Sequence, residues 1–173
     1  MNKFTKLNIV ALMLFSFSAY AIDGVAVIDM RTAVLSTQSA QDAFKALQED
    51  ADYAANVESF RAYQTERQSL AERLQKEAET LSNVEIAEIQ KDIQNKTKEL
   101  EFLLSKIQGA EEETTQKIFV ATSASLQKII GELISAKQIK LLLAKSESIL
   151  FNDAALDITD DVTSMLDVNN SAD

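Results

Sequence analysis

The chain has 173 residues with no Pro, Cys or His and three Gly, and its 17 Lys/Arg against 27 Asp/Glu give a net charge of −10. Lacking Cys and His, it can form no disulfide, no Ser-His or Cys-His nucleophile pair and none of the usual zinc, copper or haem sites, so no catalytic, cofactor or metal residue is expected and the protein does not read as an enzyme. The acidic balance argues against nucleic acid and anionic membrane surfaces as partners, and the scarcity of helix breakers predicts long helices with few turns.

Residues 1–21 read as a secretory signal. Lys3 and Lys6 make a positive start, Ile9 to Phe17 is apolar, and Ala19-Tyr20-Ala21 is an A-x-A cleavage pattern. The apolar run is short for a membrane anchor. Cleavage after Ala21 would leave a mature chain outside the cytoplasm, with 15 Lys/Arg against 27 Asp/Glu once Lys3 and Lys6 are gone.

Gly24 to Ile28 is a β-branched run that predicts a buried strand. Asp29 follows it, suited to cap a short helix through Leu35; the competing role, a catalytic acid, has no partner group in the sequence. From about Ser39 to Leu81 the chain is rich in Ala, Gln, Glu, Leu and Lys, which predicts one unbroken helix. Phe60, Tyr63, Arg67, Leu70, Leu74, Ala78 and Leu81 recur at spacings of three and four, a thin stripe suited to a two-helix seam. Ser82 and Glu85 form a capping box, so a second helix starts there and runs back antiparallel to the first. Its stripe is Ile86, Ile89, Ile93, Lys96, Leu100, Leu103, Ile107 and Ala110. Arms of about 40 residues would be roughly 60 Å long at ~1.5 Å per residue.

After Gly109 the stripe broadens. Glu111 to Glu113 read as a solvated face, whereas Ile118, Phe119, Val120, Leu126, Ile129, Ile130, Leu133 and Ile134 cover an arc wide enough for several neighbours. Ile139–Leu143 and Ser148–Phe151 read as two strands able to pair as a hairpin across Lys145–Glu147, with helix an alternative for the first. Asp157-Ile158-Thr159-Asp160-Asp161-Val162 opens a short helix ending near Leu166, with Thr159 as its cap and a frayed polar tail beyond. A calcium loop at these acids lacks the Gly and terminal Glu of the common pattern.

The order of parts is distinctive: a signal segment, a strand ending in Val27-Ile28-Asp29-Met30, a long charged hairpin, two short strands, then Leu156-Asp157-Ile158-Thr159-Asp160-Asp161-Val162. It resembles the Skp/OmpH family of periplasmic chaperones over the whole mature chain. The opening strand and the closing segment are the specific parts; the arms would match many coiled coils. The resemblance implies a homotrimer whose short strands build a common body and whose hairpins enclose a cavity. It implies an ATP-independent holdase for unfolded outer-membrane proteins, in which no residue performs chemistry.

The expected fold is thus mostly α with a small β body, bearing a long antiparallel helical hairpin on a strand-containing trimerisation platform. Residues 22–173 would be one domain, with the body at 22–50 and 115–173 and the arm at 51–114. Trimerisation would bury Val25, Val27, Leu141 and Leu143. The chain departs from its family in charge, since such members are commonly basic. Residues 61–106 hold eight Lys/Arg against nine Asp/Glu, so the outer arm is near neutral. Membrane contact is therefore expected to be weak or absent, and clients would be held by apolar contact and confinement. The alternative is a periplasmic scaffold whose coiled coil binds one folded partner.

Overall fold

The computed structural model describes residues 24–170; the signal segment of residues 1–21 lies outside them. Strand β1 (Val25–Ile28) leads into α1 (Met30–Leu35), α2 (Gln38–Glu49), α3 (Ala51–Lys76), α4 (Asn83–Ala136), β2 (Leu141–Ala144), a 3-10 turn at Ala154–Leu156 and α5 (Thr159–Asn170). The fold is mostly helical with a small β body, as the composition requires.

The body is organised around β1. It pairs in parallel with β2, Val25 opposite Leu141 and Ile28 opposite Ala144. Its other edge meets the chain near Asp157, where the Ile158 N–H donates to the Val27 carbonyl at 2.9 Å. One face of β1 packs Ala26 and Ile28 against Ala33 and Val34 of α1, Ala40 of α2, Ile129 and Leu133 of α4, and Val162 and Leu166 of α5. Each Val, Leu or Ile among these stabilises the body by about 1.5–3 kcal/mol when fully buried. Gly24 makes the entry possible. Its φ is +88°, and a Cβ there would stand 2.8 Å from Lys140 Cγ.

Several expectations are corrected. The helix read across 39–81 is broken at Asp50, whose ψ of 129° is extended and whose carboxylate accepts from the Asp52 and Tyr53 N–H groups. A short acidic side chain that accepts from backbone N–H groups two and three residues on competes with helix continuation, which a composition argument misses. The same helix ends at Lys76 rather than Leu81. The Thr80 and Leu81 N–H groups both turn back to the Glu77 carbonyl, and Ala78 stands exposed outside the seam.

The pair of strands expected at 139–151 is a single one. Lys145 closes the ladder by donating its N–H to the Ile28 carbonyl, and a turn from Ile149 N–H to Ser146 C=O then carries the chain off the sheet. Ser148–Phe151 is not a strand, and Leu150 and Phe151 are 95% and 85% exposed. The hairpin is replaced by the long-range parallel pairing. Thr159 is the first residue of α5 rather than its cap. Its hydroxyl accepts from the Asp29 N–H, while Asp157 accepts from the Thr159 N–H. The helix also continues past Leu166 to Asn170, tied down by Asn169 to Ser125 and Asn170 to Ser39.

Candidate functional site

The projecting feature is the hairpin of α3 and the N-terminal half of α4. Ser82 accepts from the Glu85 N–H, and Glu85 accepts from the Ser82 N–H at 2.8 Å, so the capping box starts α4 as the sequence predicts. These contacts hold the Glu85 carboxyl below its ordinary range, the backbone N–H of Ser82 contributing most. With 26 residues, α3 extends about 39 Å, shorter than the expected arm because of the break at Asp50. By contrast α4 runs for 54 residues, about 81 Å, and passes from the arm into the body.

Apart from Ala78, the predicted stripes meet in the seam. Ile89, Leu100 and Leu103 of α4 are buried, whereas Phe60, Tyr63, Arg67, Leu70 and Leu74 of α3 are half-buried. Solvent reaches a two-helix seam from both sides, which leaves the α3 side chains partly open. Lys96 occupies a seam position and is satisfied there. It pairs with Glu66 and lies 3.9 Å from the Tyr63 ring centroid. The hydrogen bond to Glu66 pushes the Lys96 ammonium pKa up. A single cation that must meet both partners fixes the register of the two helices, as polar seam residues do in coiled coils. At the root of the arm Tyr53 donates its hydroxyl proton to Glu111 at 2.7 Å, and this bond raises the Tyr53 pKa.

Asp29, Asp157 and Asp161, singled out by the sequence, are engaged structurally. Asp29 caps α1, accepting from the Thr32 N–H and hydroxyl, which lowers its pKa. Asp157 sits in a cluster with Thr159 and Lys145. Burial pushes its carboxyl up, but hydrogen bonds from the Thr159 hydroxyl and N–H and from Lys145 outweigh that and leave it below the ordinary range. Asp161 pairs with Lys137 at 2.8 Å. Among the described residues no group of three acidic side chains is placed to hold a metal ion. The cluster acts as a clasp between β1, the segment after β2, and α5.

Uncovered apolar surface lies in two places. On the body, Met30, Leu141, Leu143, Leu150 and Phe151 are exposed. Among the described residues β2 is paired along one edge only. Val27, expected to await a second copy, is already buried within the single chain at 3% exposure. On the arm side Val84, Phe102, Leu104 and Val120 of α4 are exposed. An open groove of about 830 Å³ runs along the arm root, floored by Leu35, Phe44, Tyr53 and Phe119 and bordered by Arg31 and Glu111. Sequence reasoning missed this groove because it is a consequence of the turn at Asp50.

The sequence matches the family described as "Outer membrane protein (OmpH-like)" over residues 24–166. A crystal structure of an OmpH-like protein from Caulobacter crescentus is similar at 23% identity, with 86% of each chain covered and a TM-score of 0.49. No curated protein matches the chain.

Proposed function

The chain belongs to the OmpH-like outer membrane protein family, and from that membership we propose that it is an ATP-independent holdase chaperone. It binds unfolded outer-membrane proteins in the periplasm between helical arms and prevents their aggregation before membrane insertion. The working form is a homotrimer of the mature chain, residues 22–173, with its signal removed after Ala21. In each copy residues 22–50 and 115–173 serve as body and 51–114 as arm. No residue performs chemistry, and neither cofactor nor metal takes part.

One observation carries this reading. A long antiparallel hairpin is rooted in a body whose two-stranded sheet leaves Leu141 and Leu143 uncovered. Parallel sheets are normally covered on both faces, and two strands alone are marginal. Further copies packed on that face would complete the body and set several arms around one space.

The test is suppression of aggregation. An unfolded outer-membrane β-barrel protein diluted from urea should stay soluble at one trimer per client, followed by light scattering. Undiminished aggregation in the presence of folded trimer refutes the proposal. The second reading, a periplasmic scaffold for one folded partner, draws support from the acidic excess of the mature chain, 15 Lys/Arg against 27 Asp/Glu, which suits a soluble spacer. Cross-linking that returns one folded partner and no unfolded barrel protein favours it.

A further inference from the structure

At the arm root the seam changes its chemistry. After Leu103 and Ile107 the same side of α4 continues through Gln108, Glu111 and Glu112 and turns apolar again only at Phe119. Carboxylates do not pack into a dry seam, and the turn at Asp50 leads α2 off the line of α3, so the groove of about 830 Å³ stays open there. Its floor carries one aromatic ring from each of three helices: Phe44 of α2, Tyr53 of α3 and Phe119 of α4, all half-buried. Its α4 wall carries two carboxylates. One oxygen of Glu111 accepts from the Tyr53 hydroxyl at 2.7 Å, and Glu112 forms no ion pair among the described residues. Arg31 of α1 contributes a guanidinium to the lining. The two stretches that supply the rest are acid-only: residues 46–60 hold Glu49, Asp50, Asp52 and Glu58, residues 107–116 hold Glu111, Glu112 and Glu113, and neither contains Lys or Arg.

We propose that this groove is a binding site for a small organic cation, an alkylated ammonium carrying an apolar or aromatic group. Ring faces attract a cation through their quadrupole, and the carboxylates attract it by charge. An anion would meet both as repulsion. A neutral apolar molecule would strip water from Glu111 and Glu112 and give nothing back. A small inorganic cation holds its water too tightly to exchange it for ring faces. An alkylated ammonium is weakly hydrated, enters beside apolar side chains at little cost and answers both features of the groove at once. The volume lies within the range of about 300–1,000 Å³ that small-molecule sites occupy. From Gln108 to Phe119 the α4 wall extends about 16 Å, room for a charged head beside Glu112 and an apolar group beside Phe119 and Leu35. The site goes beyond the holdase reading and does not depend on it.

The experiment titrates the mature protein, deuterated and followed by its amide resonances, with benzyltrimethylammonium and separately with benzyl alcohol, which keeps the ring and lacks the charge. The ammonium should shift the amides of Phe44, Tyr53 and Phe119 saturably, and the alcohol should need about tenfold more to do so. Glu112→Gln and Phe44→Leu should each weaken ammonium binding about threefold, and raised salt should weaken it further. Circular dichroism checks the helix content of both variants; Glu112 is exposed, so its substitution carries the test if Phe44→Leu fails to fold. Equal binding of ammonium and alcohol reduces the groove to an apolar crevice and overturns the proposal. Shifts confined to other residues, ammonium binding unchanged in Glu112→Gln, or no saturable shift with either probe overturn it as well. A lysine-rich unfolded peptide that shifts these amides where the ammonium does not assigns the groove to polypeptide and also overturns it. Aggregation suppression measured on the same samples bears on the holdase reading alone, so the two can fail separately.

Discussion

Among single residues, the most informative are acids with structural duties. Asp157 shows how a residue that could suggest chemistry is instead a fastening, because its partners Thr159 and Lys145 come from opposite sides of it in the chain. Its pKa is depressed in the fold, so its contribution is present above the ordinary carboxylate range near pH 4 and is lost as pH falls through the lower folded value. Asp29 is shifted the same way. Acid titration of thermal stability should therefore show a loss beginning below about pH 4. Asp157→Asn should melt lower at pH 7 and decline less steeply in acid. Identical acid slopes for the two proteins refute this assignment. The capping role of Asp29 was legible in the sequence, because a carboxylate between an apolar run and a short helix has a standard local use. The role of Thr159 was not, since its hydroxyl serves the Asp29 N–H, a partner 130 residues away in sequence.

The hairpin was the most legible of the elements, since periodicity and caps are local. Stripe and capping box both lie where the spacing of Ile, Leu, Ser82 and Glu85 indicates. The break at Asp50 escaped notice because no Gly or Pro marks it; what separates α2 from α3 is an aspartate whose carboxylate caps the first amides of α3. Ser148–Phe151 has the composition of a strand but no ladder partner among the described residues, and a strand is a property of a pair. At this scale the cap is the point to test. Ser82→Ala should cost about 1 kcal/mol. Hydrogen exchange should quicken at the first amides of α4, from Asn83, and stay unchanged at the β1 amides. Protection that falls equally in both regions would mean the arm tip and body unfold together.

For the whole molecule, the relevant fact is what the single chain leaves open. Leu141 and Leu143 are 50% and 38% exposed on a sheet of two strands. Leu141→Asp/Leu143→Asp should keep the helical arm, shift the mass by light scattering from three chains to one, and abolish aggregation suppression. A trimer that survives the double substitution places the subunit contact elsewhere. The proposed oligomeric state rests on resemblance alone, because no periodicity in one chain states how many copies close a sheet. The pairing of Val25 with Leu141 also has a kinetic consequence. The arm joins residues near in sequence and can zip up as soon as both its helices exist. The first strand must wait until nearly the last of the chain is available, and closing so long a loop is slow. If the chain folds as it emerges from N-terminus to C-terminus, its arm would stand before its foundation does. Premature termination ahead of Leu141 would then release an arm with no base, its body-facing side chains left without a core to enter.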